Sequence, residues 1–143
     1  MEKITGAAQK IMEERLGHDS LIALATAENG MPSVRTVNSF YENCAFYVIP
    51  YALSGKMKQI ERNPAVAVCG EWFTAHGIGE SLGYLRDPKN GVIAAKLRTT
   101  FKEWYDNGHV DENDLNTCIL RIRLTDGVLF SQGTRYDIGF AVD

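Results

Sequence analysis

Residues 21–51 read "LIALATAENGMPSVRTVNSFYENCAFYVIPY". Three runs rich in β-branched and aromatic side chains are separated by "ENG" and "ENC", short polar breaks of the kind that reverse a chain tightly. The third run ends at Pro50. This pattern predicts an antiparallel meander.

Residues 54–68, "SGKMKQIERNPAVAV", follow it. Their spacing predicts a helix from Ser54 to about Arg62, stopped where Asn63-Pro64 forbids another turn, with an alternating strand behind it. In "AVAVCGEWF", Val66, Val68 and Gly70 alternate with Ala65, Ala67 and Cys69. "TAHGIGESLGYL" carries Gly77, Gly79 and Gly83, which predicts a strand that bends or bulges where backbone passes close to a neighbour. "DPKNG" reads as a loop. "VIAAKLRTTFKEWYDNG" reads as a helix with Ile93, Leu97, Phe101, Trp104 and Tyr105 on one side and Gly108 as its stop. In "TCILRIRLTDGVLFSQGTRYDIGF", Cys118, Leu120, Ile122 and Leu124 alternate with Ile119, Arg121 and Arg123, and a turn is expected at Asp126-Gly127 before a further strand. At the other end, Ile4, Ala8, Ile11, Met12 and Leu16 recur at helical spacing, predicting a side helix over residues 3–16 ended by Gly17.

About six short antiparallel strands with helices inserted between them, and no βαβ alternation, predict a mainly β protein: a closed or split antiparallel β-barrel. There are no repeats, linkers or low-complexity segments, so residues 1–143 are expected to form one domain.

Composition narrows the function. The 143 residues are 45% hydrophobic and 23% charged, which suits a folded core. A net charge of -3, with fifteen Lys and Arg scattered along the chain, gives no basic surface for nucleic acid. No apolar stretch reaches the roughly 18 residues of a membrane helix, and no secretory segment is present, so a cytoplasmic location is expected. Cys44, Cys69 and Cys118 are odd in number and far apart, and are expected to be buried or half-buried free thiols. His18, His76 and His109 are equally dispersed, which argues against a metal site.

The helix at Ser54 raises the functional question. The amino end of a helix presents unpaired N–H groups and about half a positive charge, yet Lys56 and Lys58 both sit in its first turn. A serine cap with glutamate three residues on would close that end, but position 57 is methionine. The end is either a solvated surface with ordinary lysines or a place for an anion. Phosphate suits it, because helix-terminal N–H groups, a hydroxyl and a lysine converge there, and Gly55 lets the backbone approach. Arg35, between two valines in "PSVRTVNSF", either lies on the solvent face or turns its guanidinium to the same phosphate.

With these residues in place, the sequence resembles the pyridoxamine 5'-phosphate oxidase-like family of FMN-binding split barrels, especially its short general-stress and nitroimidazole-reductase-like members. The matching run is "LATAENGMPSVRTVNSFYENCAFYVIPYALSGKMKQIERNPAVAV", residues 24–68, and "GVLFSQGTRY" matches a second segment. The resemblance implies FMN as cofactor, with Arg35, Ser54 and Lys56 on its phosphate. It implies that Thr36, Val37 and Asn38 line the isoalloxazine edge and that Tyr51 and Gly55 frame the ribityl chain. It also implies a homodimer with flavin sites at the subunit interface, where Phe130 matches an aromatic often given by the partner; the alternative for Phe130 is a core position in the final strand.

Two histidine positions bear on activity. The stretch Thr134-Arg135-Tyr136-Asp137 lacks the histidine that holds substrate phosphate in the vitamin B6 oxidases, and His76 is the nearest candidate for the flavin-side histidine of nitroimidazole reductases. The implied activity is therefore a flavin oxidoreductase passing electrons from a nicotinamide or other small-molecule donor to a small planar acceptor. Trp72, Phe73, Tyr84 and Phe130 are candidate walls for the acceptor, or else core. There is no GxGxxG after a strand, so a nicotinamide would visit and leave. The competing readings are a non-catalytic flavin- or haem-binding stress-response protein, and a split barrel that uses a deazaflavin.

Overall fold

The computed structural model describes residues 2–3 and 6–140, with the backbone alone for Glu2, Lys3 and His109. Eight strands form one sheet: β1 (Glu2–Lys3), β2 (Ser20–Glu28), β3 (Met31–Glu42), β4 (Ala45–Val48), β5 (Ala65–Cys69), β6 (Phe73–Tyr84), β7 (Cys118–Ser131) and β8 (Thr134–Gly139). Their order is β1-β8-β7-β4-β3-β2-β5-β6, and β6 also pairs with β7. That last pairing closes six antiparallel strands into a barrel, leaving β8 and the short parallel β1 as extensions. The fold is an antiparallel split barrel, mainly β with inserted helices.

The "ENG" and "ENC" breaks are two-residue hairpins. Asn29 and Gly30 have φ of 52° and 79°, and Asn43 and Cys44 have 49° and 66°, the left-handed pair that matches strand twist. Inward positions alternate with outward ones along β2 and β5 and through the first part of β6. Leu24, Phe46, Leu120 and Ile122 are fully buried inside the barrel, where helix α1 (Gly6–Leu16) adds Met12 and Leu16 and helix α2 (Gly55–Arg62) adds Met57 and Ile60. A second core lies outside the barrel wall, where Leu97 of helix α3 (Gly91–Thr100), Phe101 and Tyr105 cover Phe40 and Ile119. Burying each such side chain is worth about 1.5–3 kcal/mol.

Several boundaries differ from the sequence expectations. Lys3 pairs with Gly139 in β1 and is not helical, while Ile4 lies outside the described residues. "DPKNG" is not an open loop: Pro88–Asn90 is a 3₁₀ turn leading directly into α3. The α3 helix ends at Thr100, and the apolar face continues through turns and one wide π-type turn at Tyr105–His109, where Gly108 has φ of 88°. Periodicity alone could not separate a helix from successive turns that bury the same face.

The largest correction concerns Asp126-Gly127, which is no turn. The β7 strand runs unbroken for 14 residues, and the reversal comes at Gln132-Gly133, with φ of 49° and 77°. Gly127 is in a strand because β6 crosses it closely: an added Cβ would lie 2.8 Å from the Thr74 carbonyl oxygen. Beside it, the register between the two strands shifts at His76 and Gly77, where Thr125 of β7 is the residue passed over; the bulge in β6 that the glycines predict lies between Ser81 and Tyr84, at Gly83, whose φ is 84°. Ile119 is buried as deeply as its inward neighbours, because the α3 region covers the outer face there. Cys44 and Cys118 are buried, but Cys69 is exposed, since it takes the outward position of β5.

Candidate functional site

The barrel is split beside β3. This strand pairs with β2 over its whole early length but with β4 only from Phe40 to Glu42. Beyond Val48 the chain leaves the sheet, and Cys118 N–H donates to Pro50 O (3.1 Å) while Ala52 N–H donates to Asn116 O (2.7 Å). These bonds hold the segment 50–54 against the start of β7, so β3 and β4 diverge. A cleft of about 390 Å³ lies there, lined by Val37, Asn38, Val48, Ile49, Pro50, Lys56 and Trp104. An unpaired strand edge beside a cleft offers backbone donors and acceptors to a ligand.

The amino end of α2 meets this cleft. Ser54 has an extended backbone (φ -67°, ψ 159°), and its carbonyl accepts from Lys58 N–H at 3.1 Å, so it is the cap residue by position. Its side chain makes no capping bond. The Ser54 Oγ is buried with no hydrogen-bond partner among the described residues. A hydroxyl in that state costs about 1–3 kcal/mol unless something arrives to bond it. A Cβ added to Gly55 would meet nothing within 4 Å, so the space beside its Cα is open.

Two cations border the same place. Arg35 is half-buried, and its guanidinium donates to Leu24 O (3.2 Å), Thr26 Oγ1 (2.8 Å) and Gln59 Oε1 of α2 (3.4 Å). All three acceptors are neutral. The alternative of an arginine on the solvent face does not hold. Burial draws the Arg35 pKa down. Burial, and then the neighbouring Arg35 charge, draws the Lys56 ammonium below the usual lysine value. Among the described residues no carboxylate forms an ion pair with either cation. Two partly desolvated cations, an orphaned hydroxyl and an open helix start form a site of uncompensated positive potential.

Of the sequence candidates, Val37, Asn38 and Lys56 line the cleft, Ser54 and Gly55 precede Lys56 at the start of α2, and Arg35 reaches the same helix through Gln59, near enough for its charge to act on Lys56. Tyr51 stands at the turn before α2, 46% exposed and bridged to Thr117. Thr36 points to the outer face of β3, opposite Ala23, and does not line the cleft. Phe130 is 50% exposed, which removes the core alternative. It lies ten residues along β7 from Leu120, the partner of Val48, about 30 Å of strand from the cleft wall.

The other candidates fall elsewhere. His76 is exposed on the outer face of β6, with Nδ1 2.9 Å from Asp126 Oδ2, and is separated from β3 by β5 and β2. Its bond to the carboxylate holds the Asp126 pKa below the usual range. Trp72 and Phe73 pack into or against the barrel core, and Tyr84 packs against the second core. None of the three lines the cleft.

Trp104 does, and nothing in its sequence context singles it out, because it continues the apolar face of Leu97 and Phe101 as any core residue would. Thr26 and Gln59, which hold the Arg35 guanidinium, were equally silent: their role depends on β2 and α2 meeting.

Comparison with known proteins agrees on fold. No protein-family model and no curated protein sequence matches the chain. Among solved structures, it is similar to General Stress Protein 26 from Bacillus anthracis str. Sterne (17% identity, TM-score 0.69, covering 91% of this chain and 98% of that one). It is also similar to an FAD-binding protein from Mesorhizobium loti (17% identity, TM-score 0.67, 86% and 92%). A heme-binding protein from Mycobacterium smegmatis aligns over 96% of this chain and 59% of its own, with 11% identity and a TM-score of 0.70. The chain shares the architecture of these proteins. At such identities the likeness is one of fold, and one fold carries different cofactors.

Proposed function

We propose that this chain is an FMN-binding flavoprotein of the pyridoxamine 5'-phosphate oxidase-like type, an oxidoreductase that passes electrons from a nicotinamide or other reductant to a small acceptor. The observation that carries this reading is the Ser54 hydroxyl at the cap position of α2, buried without a partner among the described residues, with Lys56 in the first turn and Arg35 near enough to lower the Lys56 pKa. A phosphate monoester there accepts from the hydroxyl, the ammonium and the helix N–H groups together. Bound FMN supplies hydride and single-electron chemistry through its own ring. The protein's part is to hold the phosphate at α2, to seat the ring in the cleft beside the unpaired edge of β3, and to keep Val37, Val48, Ile49 and Trp104 around it against water.

A second copy of the chain completes the reading. Leu21 and Val34 project from the outer faces of β2 and β3 at 65% and 70% exposure, with Ala23 and Ala25 between them. This apolar face and the exposed Phe130 support a homodimer whose partner closes each cleft.

Haem has less support. Among the described residues, those lining the cleft include no histidine, cysteine, methionine or tyrosine to ligate iron. A deazaflavin phosphate makes the same demands on α2 as FMN. The absorbance of the chromophore that copurifies separates the two. Titrating apoprotein with FMN and following flavin fluorescence tests the binding, and bleaching under anaerobic NADH or NADPH with recovery on adding a quinone or nitroaromatic tests turnover. No saturable FMN binding overturns the reading; binding without reduction by any donor leaves the non-catalytic flavoprotein in its place.

A further inference from the structure

One carboxylate joins two walls of the cleft that come from distant parts of the chain. Asp19, just ahead of β2, accepts from Asn38 Nδ2 of β3 through Oδ1 at 3.0 Å and from Trp104 Nε1 through Oδ2 at 2.7 Å. Asn38 and Trp104 both line the cleft. Asp19 itself does not. The indole is also held by stacking on Phe101, ring centroids 4.7 Å apart.

The chemistry of the bond fixes a direction. An ionised carboxylate only accepts, so Asn38 must turn its NH₂ to Asp19, and its carbonyl Oδ1 is then the acceptor it can offer to a ligand. Oδ1 accepts no hydrogen bond from the described residues. Without Asp19 the amide could flip and present donor or acceptor alike. The indole N–H is likewise directed to Asp19, through Oδ2.

We infer that Asp19 is a positioning residue that orients Asn38 so that the cleft selects a planar ring bearing an N–H at its edge, an imide such as that of a flavin or deazaflavin, over rings with acceptors alone. This rests on the proposed function and specifies how its ring site discriminates. A site built to receive a ligand N–H rejects the analogue lacking it, because the protein acceptor is left unbonded.

The test compares FMN with N3-methyl-FMN, whose phosphate is the same but whose imide N–H is gone. Wild-type apoprotein is expected to bind FMN about tenfold or more tightly than the methylated flavin, the loss of roughly one hydrogen bond. Asp19→Asn, which cannot accept from both donors with its two terminal atoms, is expected to bring that ratio close to one. Lys56→Ala is expected to weaken both flavins and keep the ratio, a pattern that a general loss of structure does not produce. If wild type binds FMN with a ratio near one, or if Asp19→Asn keeps the wild-type ratio, the role of Asp19 is overturned while the flavin site stands. If wild type binds neither flavin, the proposed function falls first. The wild-type ratio needs no variant to fold.

Discussion

Two helical segments of this protein begin in opposite ways. At Pro88–Asn90, which leads into α3, the Asp87 carboxylate accepts from Lys89 N–H at 3.0 Å, so an acidic side chain closes a positive helix start. At α2 the cap residue is Ser54, its hydroxyl bonds nothing among the described residues, and lysine occupies the first turn. The first start is complete within the chain. The second has the cap residue in place but no side-chain bond and no acidic group in its first turn, and the proposed phosphate site rests on that difference.

The arginines repeat the contrast. Arg98 is paired with Glu112 at 2.6 Å and Arg121 with Glu80 at 2.8 Å, each near the surface and each with its pKa raised by the carboxylate. Arg35 has only neutral acceptors and a lowered pKa. Among the described residues, Arg35 and Lys56 are partly buried cations with no carboxylate partner, and Lys56 stands in the first turn behind Ser54.

That contrast can be broken most sharply at the two lysines. Lys56→Ala is expected to weaken FMN binding by about 1.5–3 kcal/mol, the range for a hydrogen bond to a charged group, while Lys89→Ala at the closed helix start leaves it unchanged. Equal loss in both variants, read by fluorescence titration, would mean that general surface charge and no built site attracts the flavin. Next in size is the cap itself. Asp87→Ala should destabilise the protein by about 1 kcal/mol in urea unfolding, because it removes a capping bond. Ser54→Ala should leave the ligand-free protein unchanged or about 1 kcal/mol more stable, because it removes an unbonded buried hydroxyl, yet weaken FMN binding. A large destabilisation by Ser54→Ala would show that its hydroxyl is satisfied after all.

The smallest effect is a pH dependence. Lys56 has a folded-state pKa below its unfolded value of about 10.5, so in the window between them the unfolded chain holds the proton and the ligand-free folded protein does not. Stability contributed by this group is therefore absent below the folded pKa and recovered as pH rises toward 10.5. Lys56→Met, which has no such charge to bury, should be more stable than wild type near neutral pH, with the gap narrowing on the alkaline side. A gap that is constant with pH, in unfolding curves measured without flavin, would show that Lys56 is as well solvated in the fold as out of it.

Much of this architecture was legible because it rests on local rules. Asn29-Gly30 and the "ENC" break demanded tight reversals, the alternation of Val66 and Val68 demanded a half-buried strand, and Asn63-Pro64 demanded that α2 stop. Reading failed where a local signal met a distant neighbour. Asp126-Gly127 has the composition of a turn, but the close crossing of β6 makes it strand. The face of Leu97, Phe101 and Tyr105 was correct while the helix carrying it was not continuous, because burial constrains side chains and not the hydrogen bonds beneath them.

The sequence by itself determined the strand pattern and the oddity at Ser54: a serine cap followed by lysines has no negative partner within the reach of a helical turn, and that follows from spacing alone. Only the tertiary structure decided what surrounds that oddity. Whether Arg35 faces water or α2, whether the Ser54 hydroxyl finds a partner, and which aromatic borders the cleft depend on residues tens of positions apart meeting across β2, β3, β4 and the turn after α3. Burial and the absence of a counter-charge are properties of that meeting, since a cation's solvation is set by everything packed around it and not by its neighbours along the chain.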